Sequence, residues 1–336
     1  MIGISFNELK KTQHLNIQEE DLTERVIPLF PVFDSGWKQY ANTGNELINI
    51  NITDLINGLY FSKQPLKETD LKFEFFNMMF KKNNLIENKN YIVHIMDDIE
   101  NLSASVEKII FFSEFYKKED MHRLCKYASV ELEAIFQNSR AIFENLQSLQ
   151  NNLIKNTISA NNDDLFTENK VEFGVSKKKA TLQEYMNTYK IPESLAQFYV
   201  DFQEFFFFIL EMRNDIFHSR KTFSLYLGEE GFSISLDEYN LNKLNIWHEN
   251  NTLPNNLGSV KTLLDYIVFN TIKALEDYSL RISAVIKLPN DISPEYDLFY
   301  RSDFNKTLME LQTYFDKNSW RNLENTDSPN TEEGKA

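Results

Sequence analysis

The sequence predicts a mainly α-helical protein, with a β-containing region before the helices and a β-hairpin inserted among them. Apolar residues recur at three- and four-residue steps over long stretches, which indicates buried helix faces. The 336 residues include only 9 Gly and 8 Pro beside 28 Phe and 15 Tyr, a composition that favours long, aromatic-packed helices over a turn-rich β fold. The length predicts about two domains, or one domain with an appendage.

Residues 1–85 are expected to form a mixed or β-containing N-terminal appendage. The segment Val26–Phe33 is apolar, but Pro28 and Pro31 restrict it to an edge strand or an irregular extension. The segment Leu47–Ile52 alternates apolar and polar residues, as a half-buried strand does.

Residues 86–290 are expected to form a domain of long helices. The first long helix begins near Tyr91 and is interrupted at Lys117–Asp120. A second long helix follows at Leu124, and the short connection predicts that the two helices are antiparallel neighbours.

The segment Ser159–Lys179 is rich in Asn, Asp and Lys, so it is expected to be an exposed connection. A third helix should begin near Pro192, because a proline ring suits a first helical turn. It continues through the apolar run Phe205–Leu210, whose consecutive aromatic side chains point to all sides of the helix. The third helix is therefore expected to lie centrally, with these aromatic side chains in the core.

The residues after the third helix alternate apolar and polar between Thr222 and Leu236, on both sides of Gly228–Gly231, and predict a β-hairpin. A last core helix is predicted around Ser259–Ile286. Residues 291–336 are expected to be a C-terminal extension with a disordered, apolar-poor tail.

The net charge of −15 disfavours broad attraction to nucleic acid or anionic lipid, so any contact with RNA must be local. The single cysteine excludes an intrachain disulfide framework and fits a reducing cytosol. The chain shows neither an export signal nor an apolar run of about 20 residues, and the expectation is a soluble cytoplasmic protein with no membrane contact.

The hexapeptide Arg213–His218 combines a permanent cation, a small amide and a titratable imidazole at the end of the third helix. Asn214 and His218 are one helical turn apart and share a face, while Arg220 and Lys221 add positive charge behind the histidine. Metal-free cleavage of a phosphodiester needs a group that transfers protons and cations that stabilise charge on phosphorus. His218 and Arg213 match these two roles, and Asn214 could orient the imidazole or bind a phosphate oxygen.

The pattern Arg213-Asn214-x-x-x-His218, late in a helix of a four-helix array, resembles the R-x4–6-H signature of the HEPN superfamily. The resemblance covers roughly Tyr91–Lys287 and implies a HEPN-like helical bundle. It implies catalytic roles for Arg213 and His218 with support from Asn214, and we expect Arg220 and Lys221 to bind substrate. No metal or cofactor is expected.

Many members of this superfamily are metal-independent ribonucleases of toxin–antitoxin, abortive-infection and CRISPR systems. The resemblance therefore implies an endoribonuclease that acts as a toxin or antiviral defence effector on RNA. It further implies a homodimer with a composite active site, and an antitoxin or activating partner is an additional possibility.

Two alternatives to this interpretation stay open from the sequence. The chain could be a noncatalytic HEPN-like module that binds RNA, a nucleotide or a protein. Elsewhere, Arg123, Lys126 and Arg140 on the second helix either reach the same groove or form exposed ion pairs.

Overall fold

The computed structural model describes the chain in ranges that together hold seven α-helices, a 3-10 helix and eleven strands. The ranges are 3–4, 25–26, 30–33, 37–42, 47–50, 59–65, 67–81, 88–157, 170–219, 222–248, 252–286 and 296–318. The α-helices are α1 (Glu74–Lys81), α2 (Lys89–Ser113), α3 (Met121–Thr157), α4 (Leu182–Tyr189), α5 (Glu193–Ser219), α6 (Val260–Val285) and α7 (Asn305–Asn318). The prediction of a mainly helical protein is confirmed for these residues.

The strands form three antiparallel sheets. They are β1 (Gly3–Ile4), β2 (Arg25–Val26), β3 (Phe30–Phe33), β4 (Trp37–Asn42), β5 (Leu47–Ile50), β6 (Leu59–Ser62), β7 (Leu225–Gly228), β8 (Gly231–Ser235), β9 (Thr252–Leu253), β10 (Leu257–Ser259) and β11 (Asp297–Tyr300). Their orders are β1-β5-β4-β3, β7-β8-β10-β9 and β11-β6-β2. Pro31 lies on β3 at the edge of its sheet, as predicted from its missing N–H, whereas Pro28 lies outside the described residues.

The helices α2 and α3 pack along one another in antiparallel orientation. Asn145 of α3 donates to the Asp98 carboxylate of α2 at 3.3 Å, and Lys108 of α2 lies 3.1 Å from Glu131 of α3. Residue numbers therefore increase along α2 in the direction in which they decrease along α3. The predicted interruption between them is confirmed. The Asp120 carboxylate accepts a hydrogen bond from the His122 backbone N–H at 3.0 Å and so satisfies one free donor of the first turn of α3.

Helix α5 lies between α3 and α6, and it begins one residue after Pro192, as the sequence predicts. On one side Phe205 packs against Phe143 of α3 with ring centroids 5.8 Å apart. On another side the same ring meets Tyr266 of α6 at 5.5 Å. The prediction that this helix is central and that its aromatic run belongs to the core is confirmed.

The expectation of an exposed connection over Ser159–Lys179 is wrong for Val171, Phe173 and Gly174, which are buried, while Glu172 between them is exposed. The side-chain amide of Asn151 on α3 donates to the Val171 backbone C=O and accepts from the Val171 backbone N–H. Phe173 stacks on Phe206 of α5, with ring centroids 4.6 Å apart. Two large apolar residues in a polar segment leave no periodic signal, so their insertion into the core could not be predicted. The described part of the segment after residue 175 is exposed, as expected.

The predicted hairpin is confirmed as β7 and β8, in which Gly228 pairs with Gly231 across a two-residue turn. Strands β10 and β9 extend its sheet, and the chain then enters α6. The hairpin packs on α3 and α6, which brings it close to the end of α5 described below.

The strands β6 and β11 join parts of the chain that the sequence analysis places in different domains. Leu59 pairs with Tyr300, and Ser62 with Asp297. Next to them, Arg301 donates two hydrogen bonds to Asp70, at 2.8 and 2.6 Å. Residues from the predicted appendage and the predicted C-terminal extension therefore share one sheet, while the exact domain limits stay predictions.

Within the described ranges, every helix is too short or too polar to span a bilayer. The end of the predicted C-terminal extension, with its predicted disordered tail, lies outside the described residues.

We expect Arg301→Gln to lower the free energy of unfolding by about 3 kcal/mol, because the buried Asp70 carboxylate loses the cation that compensates its charge. The Asp70 side chain is 0% exposed and the Arg301 side chain 30% exposed. Urea unfolding measures the loss, with Lys306→Gln as the control, because Lys306 faces Glu310 in an exposed pair at 3.6 Å. An additional Asp70→Asn substitution should recover part of the loss, and equal losses in Arg301→Gln and the control would contradict the expectation.

Candidate functional site

The hexapeptide Arg213–His218 forms the last turns of α5. Helices α3 and α5 are antiparallel, since Phe136 meets Phe208 and Phe143 meets Phe205, each pair at 5.8 Å. The hexapeptide therefore lies at the level of the amino-terminal half of α3. Ile216 is buried and anchors the segment to the core.

Arg213 and Asn214 are both half-buried, and the structure brings them together. Nη1 of Arg213 donates to Oδ1 of Asn214 at 3.4 Å, a long and therefore weak hydrogen bond. A guanidinium carries five N–H donors in a planar fork, so contact with the amide is compatible with simultaneous contact with an oxyanion.

His218 is exposed and lies one turn beyond Asn214 on the same face of α5. Arg213 and His218 are five residues apart, which separates their directions by about 140° around the helix axis. Asn214 is therefore in contact with Arg213 and shares a helix face with His218. Within one chain, the Arg213 and His218 side chains leave the helix in different directions.

The basic residues predicted behind the histidine, Arg220 and Lys221, lie outside the described residues, and their role stays a prediction.

A tyrosine from the 3-10 helix Glu238–Leu244 lies near the hexapeptide. Burial first, and then the negative charges of Glu238, Asp215 and Glu133, together raise the pKa of Tyr239 to about 12. Tyr239 has a φ of 53°, in the left-handed region that is uncommon for a bulky residue. Its ring packs on Phe223 at 4.9 Å, which holds it in place beside α3.

Glu133 of α3 is a second residue of this neighbourhood. Burial raises the pKa of its carboxyl, while the Lys126 charge lowers it. Its Oε1 atom is buried and has no hydrogen-bond partner among the described residues. Asp215, Glu133 and Glu238 together make the surroundings of Tyr239 acidic, although the hexapeptide itself carries Arg213.

Sequence reasoning missed Tyr239 and Glu133 as neighbours of the hexapeptide. Tyr239 follows the hairpin and Glu133 is about 80 residues before Arg213, so only the packing of α3, α5 and the hairpin brings them together. No periodic or motif signal in the sequence marks either residue.

Among the described residues, no group of three His, Cys, Asp or Glu side chains is placed to hold a metal ion.

Comparisons of the chain with protein-family models, with curated proteins and with solved structures give no match. Function must therefore be inferred from the residues of this chain and their geometry.

We expect Asp215→Asn to lower the pKa of Tyr239, because it removes a negative charge that disfavours the phenolate. Ultraviolet titration of each protein against its Tyr239→Phe derivative isolates this phenol from the other tyrosines. Asp303→Asn is the matched control, since Asp303 is exposed in the turn before α7 and is not among the groups that act on Tyr239. An unchanged pKa in Asp215→Asn would show that Asp215 does not face the phenol.

Proposed function

We propose that the chain is a metal-independent, HEPN-type endoribonuclease that cleaves RNA through the ribose 2′-hydroxyl. The observation that carries the proposal is the contact of Arg213 with Asn214 at the end of α5, with His218 exposed one turn further on. A fixed cation, an amide and a solvent-accessible imidazole are the groups that this reaction needs.

In the proposed reaction His218 removes the proton of the 2′-hydroxyl, and the oxygen attacks the adjacent phosphorus. The bond from phosphorus to the 5′ oxygen breaks, and the protonated His218 imidazole of a second copy gives a proton to that oxygen. Arg213 stabilises the extra negative charge on the phosphate oxygens, and Asn214 orients the guanidinium. The products are a 2′,3′-cyclic phosphate and a 5′-hydroxyl, and DNA is not cleaved because it has no 2′-hydroxyl.

The proposal includes a homodimer. One imidazole cannot act as base and acid in the same step, and the offset of about 140° separates Arg213 from His218 on one helix. A second copy that places its own hexapeptide against the first supplies the second imidazole and brings an arginine opposite a histidine.

A biological role as a toxin or antiviral defence effector belongs to the same proposal. The activity of such a ribonuclease must be controlled in the cell that produces it. The proposal therefore includes an antitoxin or an activating partner.

The second candidate function is a noncatalytic module that binds RNA, a nucleotide or a protein through the hexapeptide. The acidic neighbours of Tyr239 favour its protein-binding form, because Glu133, Asp215 and Glu238 oppose the accumulation of phosphate charge on their side of the hexapeptide. Binding of this kind does not depend on proton transfer by His218.

We expect His218→Ala to reduce RNA cleavage by about 100- to 10,000-fold, because it removes the group that transfers protons. Purified proteins are incubated with total RNA in excess EDTA, and the new ends are tested for cyclic phosphate and 5′-hydroxyl. His94→Ala is the matched control, because His94 is exposed on α2. Equal cleavage by the unsubstituted chain and His218→Ala, or cleavage that EDTA abolishes, would contradict the mechanism.

We expect an excess of His218→Ala chains to reduce RNA cleavage by the unsubstituted chain, because subunit exchange creates mixed dimers that keep only one of the two imidazoles that the reaction needs. The initial cleavage rate is measured before and after mixing, with sedimentation to verify the dimer. His94→Ala chains are the control and should leave the rate at or above that of the unsubstituted chain alone, because His94 is exposed on α2. A rate that His218→Ala does not reduce would contradict the shared site.

A further inference from the structure

One face of the amino-terminal half of α3 carries two cations. Arg123, Lys126, Val130 and Glu133 follow one another at spacings of three, four and three residues, so they form one stripe along the helix. The first three are exposed and Glu133 is half-buried. The stripe runs from the beginning of α3 towards the neighbourhood of Tyr239.

The stripe is level with the hexapeptide. Lys126 lies ten residues before Phe136 and His218 ten residues after Phe208, so each is about 15 Å along its antiparallel helix from the contact between those rings. Glu133 of the stripe and Asp215 of the hexapeptide both act on Tyr239, so the stripe ends on the Asp215 side of α5. This side is about 60° around the helix axis from His218 and about 160° from Arg213, so the stripe lies nearer to the histidine.

Neither cation of the stripe forms an ion pair with an acid among the described residues, although the charge of Lys126 acts on Glu133 at longer range. Of the five arginines whose side chains the structure describes, Arg140, Arg281 and Arg301 form ion pairs and Arg213 binds Asn214. Arg123 alone has neither. The prediction of exposed ion pairs on this helix is thus confirmed for Arg140 only.

The sequence explains why Lys126 has no acidic neighbour one turn away on its own helix. The positions three and four residues away on either side are His122, Arg123, Ser129 and Val130, and none of them is an acid.

An exposed aromatic ring stands beside the cations. Tyr127 is 49% exposed, and its ring leans on Phe112 of α2 at 5.7 Å. The contact holds one edge of the ring in position, while about half of the side chain is open to solvent. A supported, open ring next to cations is the arrangement that stacks an unpaired base while its phosphates are held.

We propose that Arg123, Lys126 and Tyr127 form the substrate-binding face of the same site, and that its ligand is single-stranded RNA. The inference rests on the proposed function, since it names the substrate class that the hexapeptide would cleave. The two cations hold successive phosphates and Tyr127 stacks a base. A duplex does not fit this face, because its base faces are covered by their neighbours.

The test measures binding of a fluorescent, single-stranded oligoribonucleotide with 2′-fluoro sugars, which lacks the attacking hydroxyl and is not cleaved. Anisotropy gives the affinity over a series of salt concentrations. We expect Arg123→Gln and Lys126→Gln each to weaken binding and to reduce the steepness of the log–log salt dependence by about 0.7. Tyr127→Leu should weaken binding by roughly 5- to 150-fold with unchanged salt dependence, because stacking involves no charge.

Lys306→Gln is the matched control, because it removes the same charge from α7, which packs on α2 and α6. It should leave affinity and salt dependence unchanged. Unchanged affinity and salt dependence in Arg123→Gln and Lys126→Gln, or no binding by the unsubstituted chain, would overturn the proposal. A change in sedimentation of Tyr127→Leu with unchanged RNA affinity would overturn it too, by making the face a protein interface.

The outcome for the nuclease is separate. The unsubstituted chain could fail to cleave RNA while Arg123→Gln and Lys126→Gln bind it more weakly and with a less steep salt dependence. In that case the binding face stands and the proposed catalysis fails. If the chain cleaves RNA and the variants bind unchanged, the catalysis stands and the face fails.

Discussion

The central position of α5 is the constraint on which the rest of the helical region depends. Consecutive aromatic side chains between Phe205 and Phe208 point to several sides of the helix, so other elements must cover it from more than one side, although Asp201, Glu204 and Glu211 stay exposed. Helix α3 covers one side through Phe143, α6 another through Tyr266, and Phe173 of the connecting segment closes a third by stacking on Phe206. Because α5 is fixed on these sides, its final turns project from the core in a defined direction. The position of the hexapeptide therefore follows from packing rather than from its own polar residues.

The sequence predicted those parts of the fold that are periodic. The helices α2, α3, α5 and α6 and the hairpin each repeat apolar residues at a regular step, and their limits are close to the predicted ones. It did not predict the burial of Val171 and Phe173, because two isolated apolar residues have no period. It also gave no sign that β6 pairs with β11, since strand pairing across such a distance depends on tertiary structure. For the site, the motif identified Arg213, Asn214 and His218, while Tyr239 and Glu133 came into view only through the packing of separate elements.

Charge is distributed unevenly around the hexapeptide. The chain carries a net charge of −15, and Asp215, Glu133 and Glu238 concentrate part of it near Tyr239. The charge of Lys126 on α3 acts on Glu133, while Arg213 lies two residues before Asp215 and about 160° from it around the axis of α5, so neither cation neutralises the region as a whole. An anionic ligand at this position is therefore attracted over a short range only, since the field of the whole chain repels it from further away. This arrangement favours ligands that also make stacking or hydrogen-bonding contacts, and it disfavours binding by charge alone.

The pair of Asp70 with Arg301 spans 231 positions of the chain, and the β6–β11 ladder beside it spans a similar distance. Contacts of such separation require a long loop to close before they contribute any stabilisation, so they form late in folding. The α2–α3 pair is joined by a short connection and can form early. The difference in sequence separation favours folding from the helical centre outwards, with the sheet that joins the two flanking segments closing last. During synthesis, this sheet stays incomplete until residues near Arg301 have left the ribosome, which makes strand β6 an unpaired edge for most of that time.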